Sequence, residues 1–278
     1  MNMKKGLFTL LTVGIVGILT ACGGSGDSEG ASDDKKEIKF GATAGPFSDM
    51  IQSGIKPGLE EKGYEVEVVE FSDYIQPNNA LDGGDLDANL FQHVIYLENF
   101  NEENGMDLAD TISVPTAPLG LYSDKYDSID DVEDGASVTV PNDPTNAARA
   151  FMTLEEAGLV EIDPDAEAIK ISENDITENP KNLDIQPLEA GQLPRSVDSA
   201  DIAAVPGNFA VAADFDLLDA IALEEMPEEF RNVVAVRLED KTAQFTEDII
   251  EVIESEEFEE VIDEEFEGFS KPEWMEEE

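Results

Sequence analysis

The 278-residue chain carries 65 Asp and Glu against 16 Lys and Arg, a formal net charge of −49 at pH 7. Such a surface repels phosphate backbones, which excludes nucleic acid as a partner, and one histidine with one cysteine is too small a ligand set for most zinc sites. Hydrophobic residues still make up 41% of the chain and recur periodically, which excludes a disordered acidic polymer.

In chain order, the first element is a targeting segment. Lys4 and Lys5 precede a near-continuous apolar run over residues 7–20. That run is shorter than the ~20 residues a spanning helix needs. It ends in Leu19-Thr20-Ala21-Cys22, small residues followed by the only cysteine. This pattern resembles the bacterial lipobox, whose cysteine receives a diacylglyceryl group. Residues 1–21 therefore read as a lipoprotein signal peptide, and Cys22 as a lipid anchor on the extracytoplasmic face of the cell membrane. Residues 22–37 are rich in Gly, Ser and charge and read as a flexible tether.

The remainder alternates strand and helix. Residues 37–42 read as a strand, and 47–62 as a helix with Phe47, Met50, Ile51, Ile55 and Leu59 on one face. Pro57 kinks that helix and Gly63 stops it. A strand over 64–71, a helix from about residue 75 to Gly83-Gly84, a short strand over 86–90 and a helix over 92–103 follow. Residues 112–122 are extended. Then come a strand at 137–140, a helix at 145–157, strands near 183–187, 202–205 and 232–238, and helices around 247–255 and 257–266. Such alternation predicts parallel sheets covered by helices, an α/β fold. Residues 247–278 hold 16 acids and one base, Lys271, yet apolar residues recur there at helical spacing. The tail therefore reads as packing helices with a solvated acidic side. At about 1 M salt the screening length falls to about 3 Å, so a carboxylate surface this dense suits a saline habitat.

Two local patterns fail as chemistry. Asp85, Asp87 and Asn89 alternate like a calcium loop, but its sixth position is Leu90 and its twelfth is Tyr96. Gly41-Ala42-Thr43-Ala44-Gly45 sits between a strand and a helix like a nucleophile elbow, but a triad would have only His93 as base. It reads instead as a tight turn offering backbone N–H groups to a small ligand. No catalytic residue, metal site or cofactor is expected.

Several motifs lie in a fixed order: GATAGP at 41–46, EFSDYIQPN at 70–78, LDANLFQH at 86–93 with Tyr96 and Leu97 beyond, PNDPTNAARA at 141–150, ENPKNL at 178–183, QLPR at 192–195 and GNFA at 207–210. Together they resemble the methionine-binding lipoproteins of ABC importers, the NlpA-type family, over nearly the whole mature chain. The resemblance implies a two-lobed, periplasmic-binding-protein-like fold of type II, each lobe a sheet flanked by helices. Lobe one would be residues 38–118 with 233–278, and lobe two residues 119–232. Extended crossovers near 116–121 and 231–234 would make a two-strand hinge. It also implies a monomer that captures L-methionine or a related small amino acid between the lobes and delivers it to an ABC permease driven by its ATPase, without catalysis.

The resemblance further assigns Arg149 to the ligand carboxylate, a role that suits a guanidinium. Taken alone, Arg149 would read as a surface cation paired with some of the many acids. Asn146, one helical turn earlier, and Asn208 and Asn232 would bond the polar end of a zwitterion. Tyr74, Phe91, His93 and Tyr96 would surround the side chain, because aromatic rings suit a thioether. Four positions depart from the family: Leu90 where a second Phe is common, Pro206 where Asn is, and Val94-Ile95 in place of a more polar pair. D-methionine, a methionine dipeptide or another small apolar amino acid therefore stay open as ligands. So does a non-transport role as a lipid-anchored surface protein.

Overall fold

A computed structural model describes residues 36–276 of the chain. The expected signal peptide, Cys22 and tether residues 22–35 lie outside the described residues. The described residues form one compact unit.

The chain begins with strand β1 (Glu37–Thr43), then a helical stretch of three pieces: α1 (Pro46–Met50), a π turn (Ile51–Ile55) and α2 (Lys56–Glu61). The π turn has a local cause. Pro57 has no N–H to return to Ser53, and Lys56 N–H reaches back five residues to the Ile51 carbonyl. The predicted kink is thus an expanded turn, and the helix continues through it. Next come β2 (Glu65–Phe71), α3 (Gln76–Asp82), β3 (Ala88–His93), α4 (Val94–Asn104) and β4 (Leu108–Val114). β3 begins later than the sequence suggests because Asp85 and Leu86 still bond the Ala80 carbonyl at the end of α3. It also runs on through His93, because Gln92 and His93 pair with a strand that returns from the far end of the chain.

The chain then crosses to a second sheet through β5 (Gly120–Tyr122). It continues through β6 (Ser137–Pro141), α5 (Pro144–Glu156), the small ribbon β7 (Glu161–Ile162) and β8 (Ile176–Glu178), β9 (Asp184–Leu188), α6 (Leu193–Ser196), β10 (Ile202–Val205), α7 (Gly207–Ala212) and β11 (Ala222–Leu223). It returns through β12 (Asn232–Arg237) and ends in α8 (Gln244–Ile253), α9 (Glu256–Glu265) and α10 (Glu273–Glu276).

Two five-stranded sheets result, in the orders β2-β1-β3-β12-β4 and β11-β5-β10-β6-β9. The expectation of parallel sheets needs correction. Each sheet is mixed, with one strand reversed: β12 in the first and β5 in the second. Both reversed strands are the first strand entered after a crossing between sheets. The chain arrives there from the opposite direction, with no intervening α-helix to turn it round.

The first sheet packs against the helices of residues 46–61 and against α8 and α9. Phe40, Phe47, Phe258, Ile249 and Ile253 are buried there. The acids of α8 and α9 stay outside, as amphipathic spacing requires. A second core lies under the second sheet around Val138, Phe151, Leu154 and Ile202. A third, aromatic cluster draws Tyr74, Phe91 and Tyr96 from the first sheet's segments together with Val205 and Phe209 from the second's.

Close approach of α9 depends on Gly54, where an added Cβ would sit 2.9 Å from the buried Phe258 ring. Alanine is favoured over glycine in a helix by about 0.5–1 kcal/mol, but overpacking a filled core costs about 1–3 kcal/mol. The steric term should win. Gly54→Ala is expected to lower the denaturant midpoint, and an unchanged or higher midpoint would show that Phe258 can yield.

Candidate functional site

Larger hollows lie on the surface, such as an open groove of about 550 Å³ bordered by Pro46, Val211 and Phe266. A tighter, more enclosed cavity of about 20 Å³ is where polar side chains converge. Tyr74, Phe91, His93, Tyr96, Asn146, Arg149, Asn208 and Asn232 all line it. The sequence motifs therefore meet in space, although they span 158 positions from 74 to 232. Phe47, Gln92, Thr116, Ala117 and Gly207 complete the lining.

One wall is aromatic. The Tyr74 ring stacks on Phe91 at 5.7 Å between centroids and meets Tyr96 edge-on at 5.8 Å and Phe209 at 5.0 Å. Phe91 faces the cavity at a bulge in β3, where the pairing with β12 skips from Leu90 to Gln92. Leu90, its neighbour, faces the other way into the core of the first sheet. The departure at Leu90 therefore leaves the cavity wall unaltered. The phenols are engaged: Tyr96 Oη donates to the Tyr74 carbonyl (3.0 Å) and Tyr74 Oη to Asn208 Oδ1 (2.7 Å). Burial raises the pKa of both tyrosines, so they stay protonated. Asn208 Nδ2 in turn donates to Thr43 Oγ1 (3.1 Å). The expected turn over 41–45 is confined to Ala44-Gly45; Thr43, the last residue of β1, serves the cavity, while the Ala44 N–H is taken by the Phe71 carbonyl.

His93 does not sit within a helical face with Tyr96, as its spacing suggested. It is the last residue of β3 and the N-cap of α4, and its Nδ1 accepts the Tyr96 backbone N–H at 3.1 Å. A backbone N–H can only donate, so Nδ1 carries no proton and the neutral ring is protonated at Nε2. That nitrogen lies 3.4 Å from Asn146 Oδ1. Burial and then the Arg149 charge push the His93 pKa well below 6.5, while the Asn146 contact opposes them.

Arg149 lies on α5, whose N-cap is Asp143. The Asp143 Oδ1 accepts from Asn146 N (2.9 Å), Asn146 Nδ2 (3.0 Å) and Thr145 Oγ1 (3.1 Å). The guanidinium is buried, with 4% of the residue exposed. Nη1 donates to Asn146 Oδ1 (2.9 Å), and Nε and Nη2 grip both oxygens of Glu224 at 2.8 and 2.6 Å. Burial works against the charge and Glu224 outweighs it, so the Arg149 pKa is raised. The sequence reading missed Glu224, which lies in the run Leu223-Glu224-Glu225 with nothing to set it apart among 65 acids. Asn232 begins β12 and pairs with His93. Its backbone N–H donates to Thr116 Oγ1 (2.8 Å), which leaves the side-chain amide for the cavity.

Beneath the aromatic wall, Asn78 and Gln92 exchange two amide hydrogen bonds of 2.7 Å, and Asn89 joins them at 2.9 and 3.0 Å. Asp87 accepts the Lys39 backbone N–H at 2.9 Å. Asp87 and Asn89 are therefore structural partners. At Gly207, where α7 starts, a Cβ would fall 2.4 Å from the Pro118 carbonyl oxygen, so only glycine lets α7 approach the crossing segment.

The NlpA lipoprotein family model matches residues 38–274. The chain belongs to the NlpA lipoprotein family. Among curated relatives of this family member is the D-methionine-binding lipoprotein MetQ of Salmonella typhi, 36% identical over 273 residues, covering 96% of this chain and 99% of the relative. The MetQ of Escherichia coli K12 is 34% identical over 270 residues, covering 96% and 98%. Among solved structures, a nutrient-binding protein of Burkholderia cenocepacia bound to methionine aligns with TM-score 0.79 and 39% identity, over 83% of this chain and 97% of that one. A putative methionine-binding lipoprotein of Bacillus subtilis aligns with TM-score 0.81 and 30% identity, over 85% and 98%.

The unfolded His93 imidazole binds a proton near pH 6.5, whereas the buried ring binds it only at lower pH. Its contribution to stability is therefore complete above 6.5 and is lost progressively as the pH falls from there toward the lower pKa of the buried ring. Replacing His93 with Gln should flatten the fall in melting temperature between pH 7 and 5.5. Equal slopes in variant and wild type would show that the carboxylates alone set that fall.

Proposed function

We propose that this NlpA lipoprotein captures methionine in the cavity between its two sheets and delivers it to an ABC permease and its ATPase. The observation that carries the reading is Arg149, a buried cation with donors to spare at one end of an aromatic-walled cavity. A free amino acid has the matching outline. Its carboxylate suits the guanidinium, its ammonium suits the amide oxygens around it, and a thioether suits the rings of Tyr74, Phe91 and Tyr96. The names of the relatives, methionine-binding lipoproteins, support the same ligand.

In this reading lobe one is residues 38–118 with 233–278, and lobe two is residues 119–232. The crossings near 116–121 and 231–234 act as the hinge that closes the lobes over the ligand. The mature protein is a monomer held by lipid on Cys22 at the extracytoplasmic face of the cell membrane. Among the described residues no helix is long and apolar enough to cross a membrane, which agrees with anchoring by lipid. The polar lining of the cavity is spent on holding a zwitterion, so the protein binds and releases its ligand without making or breaking a bond.

Titration calorimetry with L-methionine, D-methionine and a panel of other amino acids, after unfolding and refolding to strip carried ligand, tests the reading. Methionine is expected to bind tightly. Losing a charge-assisted pair in a buried site costs about 3–5 kcal/mol, so Arg149→Ala should weaken binding by at least a hundredfold. Silence across the panel from folded protein would refute amino-acid capture and favour a surface-protein role. Tight binding of a different amino acid would keep the importer role and refute methionine. The acidic surface gives a further expectation, that the melting temperature rises as salt goes from about 0.1 to 1 M, where the screening length shortens from about 10 to 3 Å. A flat or falling curve would argue against adaptation to salt.

A further inference from the structure

Glu224 follows β11, and the residue is only 8% exposed. Its carboxylate takes three donors: Arg149 Nε (2.8 Å), Arg149 Nη2 (2.6 Å) and the Leu119 backbone N–H (2.9 Å). The Glu224 backbone N–H donates to the Leu119 carbonyl at 2.9 Å, so the residue is tied twice to the segment that crosses between the sheets. It does not line the cavity itself.

A guanidinium has five N–H donors. Glu224 takes two, on the side-on edge, and Asn146 takes one from Nη1. One donor remains on each of Nη1 and Nη2 to meet a second carboxylate. Charge is as constrained as geometry. An unpaired buried arginine would draw in any carboxylate, whereas Arg149 beside Glu224 is already neutralised. A ligand carrying only a carboxylate would bring an uncompensated negative charge into a dry site next to Glu224, and burying such a charge is costly. A zwitterion brings no net charge.

We infer that Glu224 is a positioning residue for the ligand site: it holds the side-on edge of Arg149, leaves one donor on each of Nη1 and Nη2 for the ligand, and makes the site prefer α-amino acids over carboxylates that lack an ammonium. The inference rests on the amino-acid-capture reading above and deepens it.

The test compares methionine with 4-(methylthio)butyrate, the same molecule without its ammonium, by calorimetry on wild type and Glu224→Gln at one salt concentration. Gln keeps the shape and loses the charge. The variant should bind 4-(methylthio)butyrate more tightly than wild type does, and the preference for methionine should shrink by about tenfold or more, since removing a contact charge from a buried site is worth well over 1.4 kcal/mol. An unchanged preference overturns the inference, and a parallel loss of both affinities would mark Glu224 as merely structural. If wild type binds methionine, that failure belongs to Glu224 alone. If wild type binds no amino acid, the capture reading falls and this inference with it. Should Glu224→Gln not fold, solvent exchange of the Arg149 Nε–H in labelled wild type decides. Slow exchange with and without methionine upholds the pairing, and fast exchange on adding methionine shows that the ligand displaces Glu224.

Discussion

The ion pair of Arg149 and Glu224 is the contact on which the cavity depends. Both residues are more than nine-tenths buried, and each arises from a different part of the second sheet's surroundings, Arg149 from α5 and Glu224 from the segment after β11. Removing one partner from such a pair leaves a buried charge, a loss of about 3–5 kcal/mol. The pair therefore locks α5 against the crossing segment at Leu119. Phe230 lies against the same guanidinium at 5.6 Å and against the His93 ring at 5.2 Å, so the returning crossing is packed onto the cluster as well.

The topology explains how residues so distant in sequence reach one cavity. Each sheet ends a run of parallel strands with a single reversed strand at the point of crossing. β12 thereby inserts between β3 and β4, bringing Asn232 beside His93 and Val114. Gly207 lets α7 press against residues 117 and 118, which carries Asn208 to Tyr74 and Thr43. The cavity is thus assembled at strand ends and helix starts, where backbone direction changes and side chains can converge.

Much of this was legible in the sequence. The period of apolar residues located most helices to within a few residues, and the family resemblance named eight of the thirteen residues that line the cavity. What escaped has physical reasons. Periodicity is blind to strand direction, so the reversal of β5 and β12 left no trace. It assigned His93 to a helix because capping residues share the spacing of the helix they cap; only the acceptance of the Tyr96 N–H distinguishes them. Glu224 carried no local signal, since its role comes from partners 75 and 105 positions away. The doubt raised at Leu90 came from reading a strand as a string of letters; alternation turns that residue into the core.

The amides under the aromatic wall carry a last implication. Asn78, Gln92 and Asn89 neither titrate nor attract counterions, yet their reciprocal hydrogen bonds fix Gln92, which lines the cavity. In a molecule with a net charge of −49, the outside must respond to every change of ionic medium. A set of neutral dipoles gives the interior a separate electrostatic climate. A change of salt can rearrange the ion cloud at the protein surface while the uncharged hydrogen bonds beside the cavity keep their geometry.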